Sequence, residues 1–289
     1  KYVPLGNLSY IVGYLVKGDA QIDRSYWRNK LIAYSSDQNE NGVLQRHALF
    51  ALEQMGDPTV INELPDLFES KDELIGRAFL SLCTAVAPDN PKSVEYFIKA
   101  VRRNKLAGRY GLFAIKDTSA IKKFLETYIQ DERFRVEFLD DSSIVGKRDI
   151  ELVNHIQNVL DNEITELCKQ AIIKSTDRHF YEGGKISFIV ELMRLLKAKN
   201  PAGFIPDILK RAQASSQNRA LYWIQGFLVE ILQPEDIPDY LDAMIAAKEV
   251  DSAMATMRRI KASKRESCEQ IYEAGRAKIP ERYAEWESA

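Results

Sequence analysis

Cysteine is scarce in this chain of 289 residues: three in all, Cys83, Cys168 and Cys268, with no Cys-x-x-Cys pair. An odd, scattered set makes neither a disulfide framework nor a zinc site. Each lies among apolar residues at helical spacing, as in Leu80-Ser81-Leu82-Cys83, so all three are expected to be buried, reduced thiols. An excess of one charge is also lacking. Forty Lys and Arg oppose 42 Asp and Glu, which argues against the strongly basic balance of a dedicated nucleic-acid module and leaves only local patches to consider. Long hydrophobic runs are missing too. The most apolar early stretch, Leu5 to Val16, is broken by Asn7, Ser9 and Gly13 and falls short of the roughly 20 residues that a spanning helix needs. No charged leader with a small-residue cleavage site is present, and the first residue is Lys rather than Met. These features read as a cytoplasmic fragment or trimmed product with no membrane partner.

Strand-like alternation is nearly absent as well. What is present, almost throughout, is apolar residues at i, i+3, i+4 and i+7, the mark of amphipathic helices. Seven of the ten Pro and five of the 14 Gly fall in breaks at 37–42, 56–58, 70–72, 88–91, 140–147, 183–184, 200–201, 233–238 and 280, where helices are expected to stop or start. The spacing predicts helices of about 10–17 residues joined by short turns, hence antiparallel neighbours.

The clearest unit runs from Leu44 to Phe68. Leu44, Ala48, Ala51, Leu52 and Met55 form one apolar stripe, and Val60, Ile61, Leu64, Leu67 and Phe68 a second. Between them Gly56 suits the left-handed end of a helix, Asp57 suits a cap, and Pro58 costs nothing in a first turn. A motif of the first helix then recurs. His47-Ala48-Leu49-Phe50 is followed by Arg77-Ala78-Phe79-Leu80 after 30 positions and Arg109-Tyr110-Gly111-Leu112 after 32 more. Later, Arg219-Ala220-Leu221-Tyr222 and Ser252-Ala253-Met254-Ala255 lie 33 apart. The small residue in each motif permits close helix approach, and a two-helix period of this length indicates stacked repeats.

The segment from Leu44 to Pro58, with its Ala-Leu-x-x-Met-Gly-Asp-Pro core, resembles the short HEAT repeat of bacterial proteins. Later units keep the hydrophobic positions without Gly-Asp-Pro, and the register blurs between Arg133 and Gly184. The resemblance implies an all-α fold: an α-solenoid of about six to eight stacked antiparallel hairpins, a HEAT/armadillo-like superhelix. We expect one domain over 1–289, with cap helices at 1–36, regular repeats at 37–130, irregular ones at 131–184, further repeats at 185–262 and a polar cap at 263–289. It specifies architecture rather than activity. Some HEAT-like proteins are DNA glycosylases that grip DNA in a basic concave groove, and others are lyases, so both are alternatives to carry forward.

Catalytic signatures are absent. His179 and Glu182 share a helical face and have the residue types of an acid–base pair, yet no nucleophile or orienting third group accompanies them. Gly183-Gly184 reads instead as the end of that helix, with His179 near its negative pole. Asp140, Asp141, Asp149 and Glu151 read as a solvated acidic loop, lacking the ligand order and central Gly of a calcium loop. Gly146-Lys147 lacks the rest of a phosphate cradle, with Asp141 in place of the first glycine and Arg148 in place of the hydroxyl. The aromatic stripes Tyr96-Phe97, Phe124-Tyr128 and Tyr222-Trp223-Phe227 are expected in the core; an exposed member would mark a partner surface.

The expected function is therefore a non-catalytic protein-interaction or scaffold module, the C-terminal sensor or adaptor part of a larger bacterial protein, with no cofactor and no metal. Second helices should line the binding side. They present Asn62, Asp66, Glu95, Lys99, Arg102, Arg103, Lys122 and Glu126, a mixture of signs that suits a protein partner. Arg109, Arg258, Arg259 and Lys261, with neighbouring Lys264 and Arg265, are the candidate phosphate contacts under the nucleic-acid alternative.

Overall fold

In a computed structural model the residues described are 23–37, 42–139, 145–176, 187–216, 219–263 and 266–287. Seventeen α-helices and one 3-10 turn account for about four fifths of them, and no strand occurs among the described residues. The helices gather into two compact units, Lys1–Thr127 and Tyr128–Ala289.

The first unit holds α1 (Arg24–Ser36), α2 (Gly42–Met55), α3 (Val60–Glu63), α4 (Glu73–Val86), α5 (Pro91–Arg102), α6 (Leu106–Ala114) and most of α7 (Thr118–Gln130). Side-chain caps start several of these helices. Asp23, Asp72 and Asn90 accept hydrogen bonds from the amides of Tyr26, Leu74 and Lys92, each at 2.9 Å, which satisfies otherwise orphaned N–H groups. Gly56 closes α2 in the left-handed region, with φ 69°, as its sequence predicts. Asp57 then accepts from both the amide and hydroxyl of Thr59. The helix after it is shorter than its apolar stripe suggests. It stops at Glu63, because Leu64 precedes Pro65 and is held extended at ψ 142°. Leu64, Leu67 and Phe68 are nonetheless buried, reached by an irregular segment instead of a further helical turn.

Helices pack on their second neighbours as well as their first. α2, α4 and α6 form one row, with α1 on α2, while α3 and α5 belong to the other. α5 and α6 approach closely, since Gly108 and Gly111 face α5. A methyl at Gly108 would lie 2.6 Å from the Phe97 carbonyl oxygen and 2.9 Å from the Val101 amide nitrogen, and one at Gly111 would overlap the Phe97 ring. Polar ties link each hairpin to the previous one at separations of 27 to 35 residues. Arg28 binds Asp57 and Glu63, Lys92 reaches the carbonyls of Ile61 and Leu64, Asn90 donates to Asn62, and Asp89 accepts from the amides of Lys116 and Asp117.

The second unit contains α8 (Glu132–Leu139), α9 (Val145–Asn158), α10 (Asn162–Lys174), α11 (Ser187–Lys199), α12 (Phe204–Ala214), α13 (Ala220–Leu228), α14 (Ile237–Ala246), α15 (Val250–Ala262), α16 (Cys268–Lys278) and α17 (Pro280–Glu287). Here too there are two rows: α9, α11, α13 and α15 in one, and α10, α12, α14 and α16 in the other. The small motif residues Ala220 and Ala253 are 2% and 1% exposed, where the rows press together. Gln225 is buried between α13, α14 and α15, and its Oε1 accepts from Tyr240 at 3.0 Å and Thr256 at 2.9 Å. Lys248 ends α14 in the left-handed region, with φ 60°.

Three sequence expectations need correction. Asp149 is not in a solvated loop: it lies on α9 and is 3% exposed, because the helix begins at Val145 and turns this residue toward α11. Gly146 and Lys147 likewise fall in the first turn of α9 rather than in a loop. Cys83 and Cys168 are buried, but Cys268 is half-buried, as the opening residue of α16 has neighbours on fewer sides. His179, Glu182, Asp140, Asp141, Lys264 and Arg265 lie outside the described residues.

Candidate functional site

The second-row helix α5 carries the site of greatest interest. Proline at its first position and the Asn90 cap fix where it begins. One side of α5 packs Phe97 and Val101 into the core, while Pro91, Val94, Ile98 and Arg102 run along another at intervals of three and four residues, the repeat of one helical face. Across from them α7 presents Ser119, Ala120, Lys123 and Thr127. The space between is a cleft of about 560 Å³, within the range of about 300–1,000 Å³ typical of ligand-sized pockets. Val94, Ile98, Ala120 and Thr127 are nearly inaccessible and form its floor. Charged residues form its rim: Asp89, Glu95, Lys99, Arg102 and Lys123.

The rim charges are not equivalent. Asp89 spends its carboxylate on two backbone amides, at 2.5 Å from Lys116 and 2.8 Å from Asp117. Glu95 pairs with Lys99 at 2.9 Å, one turn away, and the Lys99 ammonium also lies 5.6 Å from the Tyr96 ring centroid. Exposed pairs of this kind contribute only about 0.3–0.5 kcal/mol, so they leave the rim adaptable. At the far end of α5, Arg103 makes a bidentate pair with Glu69, at 3.0 and 2.9 Å, and its guanidinium caps the Phe68 ring at 4.9 Å. The Arg103 guanidinium holds the Glu69 carboxyl below its ordinary range.

Among the residues read from sequence as partner-binding, Glu95, Lys99 and Arg102 come together on the rim. Lys122 and Glu126 are half-buried on α7, each one position before a lining residue. Asn62 is tied to Asn90 at 3.1 Å, Asp66 is exposed in the segment after α3, and Arg103 lies just beyond the cleft. The floor residues were not singled out from sequence, although their three- and four-residue spacing beside rim cations is a readable signal.

Of the candidate phosphate contacts, Arg109 falls in the first unit and Arg258, Arg259 and Lys261 in the second. Arg109 is on α6 in the first unit, 4% exposed, with its interactions inside the fold. Arg258 and Arg259 are exposed on α15, while the Lys261 ammonium sits over the Tyr272 ring at 3.7 Å. Of the aromatic stripes, Tyr96, Phe97, Phe124, Tyr128 and Phe227 are buried as expected, but Tyr222 is 51% exposed and Trp223 half-buried.

No family model, no curated protein and no solved structure matches this chain. The chemistry must be judged from the residues alone. Burial pushes the thiols of Cys83 and Cys168 up to about 12, so neither supplies a thiolate nucleophile near neutral pH. Among the described residues no group of three His, Cys, Asp or Glu side chains is arranged to hold a metal ion, and no helix is long and apolar enough to cross a membrane. The Asp149 carboxyl is strongly perturbed: burial raises it to about 6, against the opposing hydrogen bond from Ser187 and with the added repulsion of Glu191. Its inaccessibility makes it a packing group rather than one that meets a substrate.

Proposed function

We propose that this chain is a non-catalytic protein-interaction module, built in each unit as an α-solenoid of the short HEAT-repeat type, with the α5–α7 cleft as its docking site. The observation that carries the reading is the combination in the first unit of row-wise helix packing with polar ties one repeat apart. Such a stack buries each hairpin's apolar side against its neighbours and leaves second-row faces to hold a partner. An apolar floor inside a rim of both signs suits a polypeptide, which offers apolar side chains and charges together.

The test is photo-crosslinking from benzoylphenylalanine placed at Lys123, in the full chain, in the cells that make it. Protease-sensitive adducts are expected from position 123 and not from Ala85, which is exposed on α4 in the other row. Adducts that only nuclease removes, or equal adducts from both positions, would overturn the proposal.

A further inference from the structure

The last described helix is fastened by very little. α17 has eight residues and follows α16 after a single residue, Ile279. A helix shorter than about 12–15 residues is marginal in water by itself, so α17 depends on what it docks against. Among its described side chains, Pro280, Glu281, Arg282, Ala284 and Glu285 are exposed, and Tyr283 is 0% exposed. The ion pair of Arg282 with Glu285, at 3.2 Å, joins α17 to itself. Its apolar attachment is one phenol.

That phenol enters a socket built by α15 and α16. Gly275 of α16 is the floor: a methyl there would overlap the Tyr283 hydroxyl and lie 3.0 Å from Tyr283 Cζ. The Met257 side chain of α15 reaches the same place, with its methyl 2.9 Å from where the added carbon would stand. Tyr272, one turn earlier on α16, meets the Tyr283 ring nearly edge-on, with centroids 5.0 Å apart and planes at 69°. Glycine weakens a helix interior, and the ring it admits accounts for its place here.

The corner between the helices suits a pivot. The Ile279 amide donates to the Gly275 carbonyl at 3.0 Å and closes α16. Pro280 has no N–H to continue that ladder, so α17 can swing away with the last bond of α16 kept. Segments with few buried contacts open far more readily than the whole fold.

We propose that α17 is a releasable strap, which swings about Ile279 on withdrawal of Tyr283 and uncovers an aromatic socket on α15 and α16. The vacated socket is selective in kind. Bare backbone at Gly275, a ring at Tyr272 and a thioether at Met257 together receive a flat aromatic side chain. With the strap closed, the chain is its own ligand. This inference concerns the second unit and is independent of the α5–α7 cleft.

Two measurements on the full chain test it. In hydrogen–deuterium exchange, the amides of residues 283–287 are expected to exchange at least tenfold faster than those of α16. Tyr283→Ala should remove their remaining protection while α16 and α13 stay within twofold of the wild type, and Tyr283→Phe should restore it. Loss of protection in α16 and α17 together, in the wild type or in Tyr283→Ala, would overturn the strap. The second measurement uses a peptide of residues 279–289 with 3-fluorotyrosine at position 283, followed by fluorine NMR. Tyr283→Ala, whose socket is open, should shift the peptide signal at a chain concentration at least tenfold lower than the wild type, whose own strap competes at an effective concentration on the order of 1 mM. Gly275→Leu/Tyr283→Ala, with α13 still protected from exchange, should give no shift. Equal shifts from all three chains, or none from Tyr283→Ala, would overturn the socket.

Discussion

Replacing Asp149 by Asn is expected to stabilise the second unit at neutral pH. The carboxyl lies 3% exposed between α9 and α11 with Ser187 as its hydrogen-bond partner, and burial raises it from 3.8 to about 6. An acid whose folded-state value is raised binds its proton more tightly in the folded chain, so folding takes up protons between those two values. Its effect is nil below about pH 4, where both states are protonated. Stability is then lost as pH climbs toward 6, and the full cost applies above it. About two units at 1.36 kcal/mol each place that cost near 3 kcal/mol at most. Asn keeps an acceptor for the Ser187 hydroxyl and carries no charge to desolvate. Urea unfolding of the wild type and Asp149→Asn from pH 4 to pH 8 is the measurement. The two should be alike at pH 4, and the variant should lead by about 2–3 kcal/mol at pH 7 and above. A constant gap across the range, or a variant less stable at pH 7, would show that the carboxylate has a favourable partner and that burial does not govern it.

Three further substitutions probe other links between sequence and packing. Gly108→Ala must push α6 off the α5 backbone, and despite the better helix propensity of Ala a net loss of about 1–3 kcal/mol is expected in denaturant unfolding; a neutral result would mean the two helices are farther apart than described. Gln225→Ala removes the acceptor shared by the Tyr240 and Thr256 hydroxyls and opens a cavity, at a cost of about 2–4 kcal/mol, and pairing it with Tyr240→Phe should cost less than the two separate losses combined, whereas strict additivity would argue against a shared hydrogen bond. Lys248→Gly relieves a left-handed residue at a helix end where the Glu249 amide bonds the Met244 carbonyl at 2.9 Å, and should raise stability by about 1 kcal/mol in thermal unfolding; a loss would contradict the conformation assigned to that turn.

Legibility from sequence follows the range of the interactions involved. The left-handed end at Gly56 could be read because a glycine acts on its own backbone, whereas the next helix begins at Val60 with Thr59 before it, later than a cap at Asp57 and Pro58 in its first turn would put it. The stripe from Val60 to Phe68 correctly named buried positions but overestimated the helix, because a periodic pattern records which side chains are covered and not whether Pro65 lets the backbone continue. Asp149 reads as solvated beside Asp140, Asp141 and Glu151, and only Ser187, 38 residues onward, brings it into the interior. Glu95, Lys99 and Arg102 come together on one rim because their polar spacing marks the uncovered face of one helix. On α7 the expected Lys122 and Glu126 each stand one position before the lining residues Lys123 and Thr127, because no local pattern sets the rotation of α7 against α5.

Asp89 gives the cleft an unusual mechanical economy. The carboxylate on its rim also anchors the amides of residues 116 and 117, the entrance to the opposite wall, so aperture and lining are governed from one point. A ligand that drew on this acid would loosen the frame that holds it, which rewards occupants that leave the anchor alone. A change of side-chain length at position 89 would shift the start of α7 and with it the width of the opening.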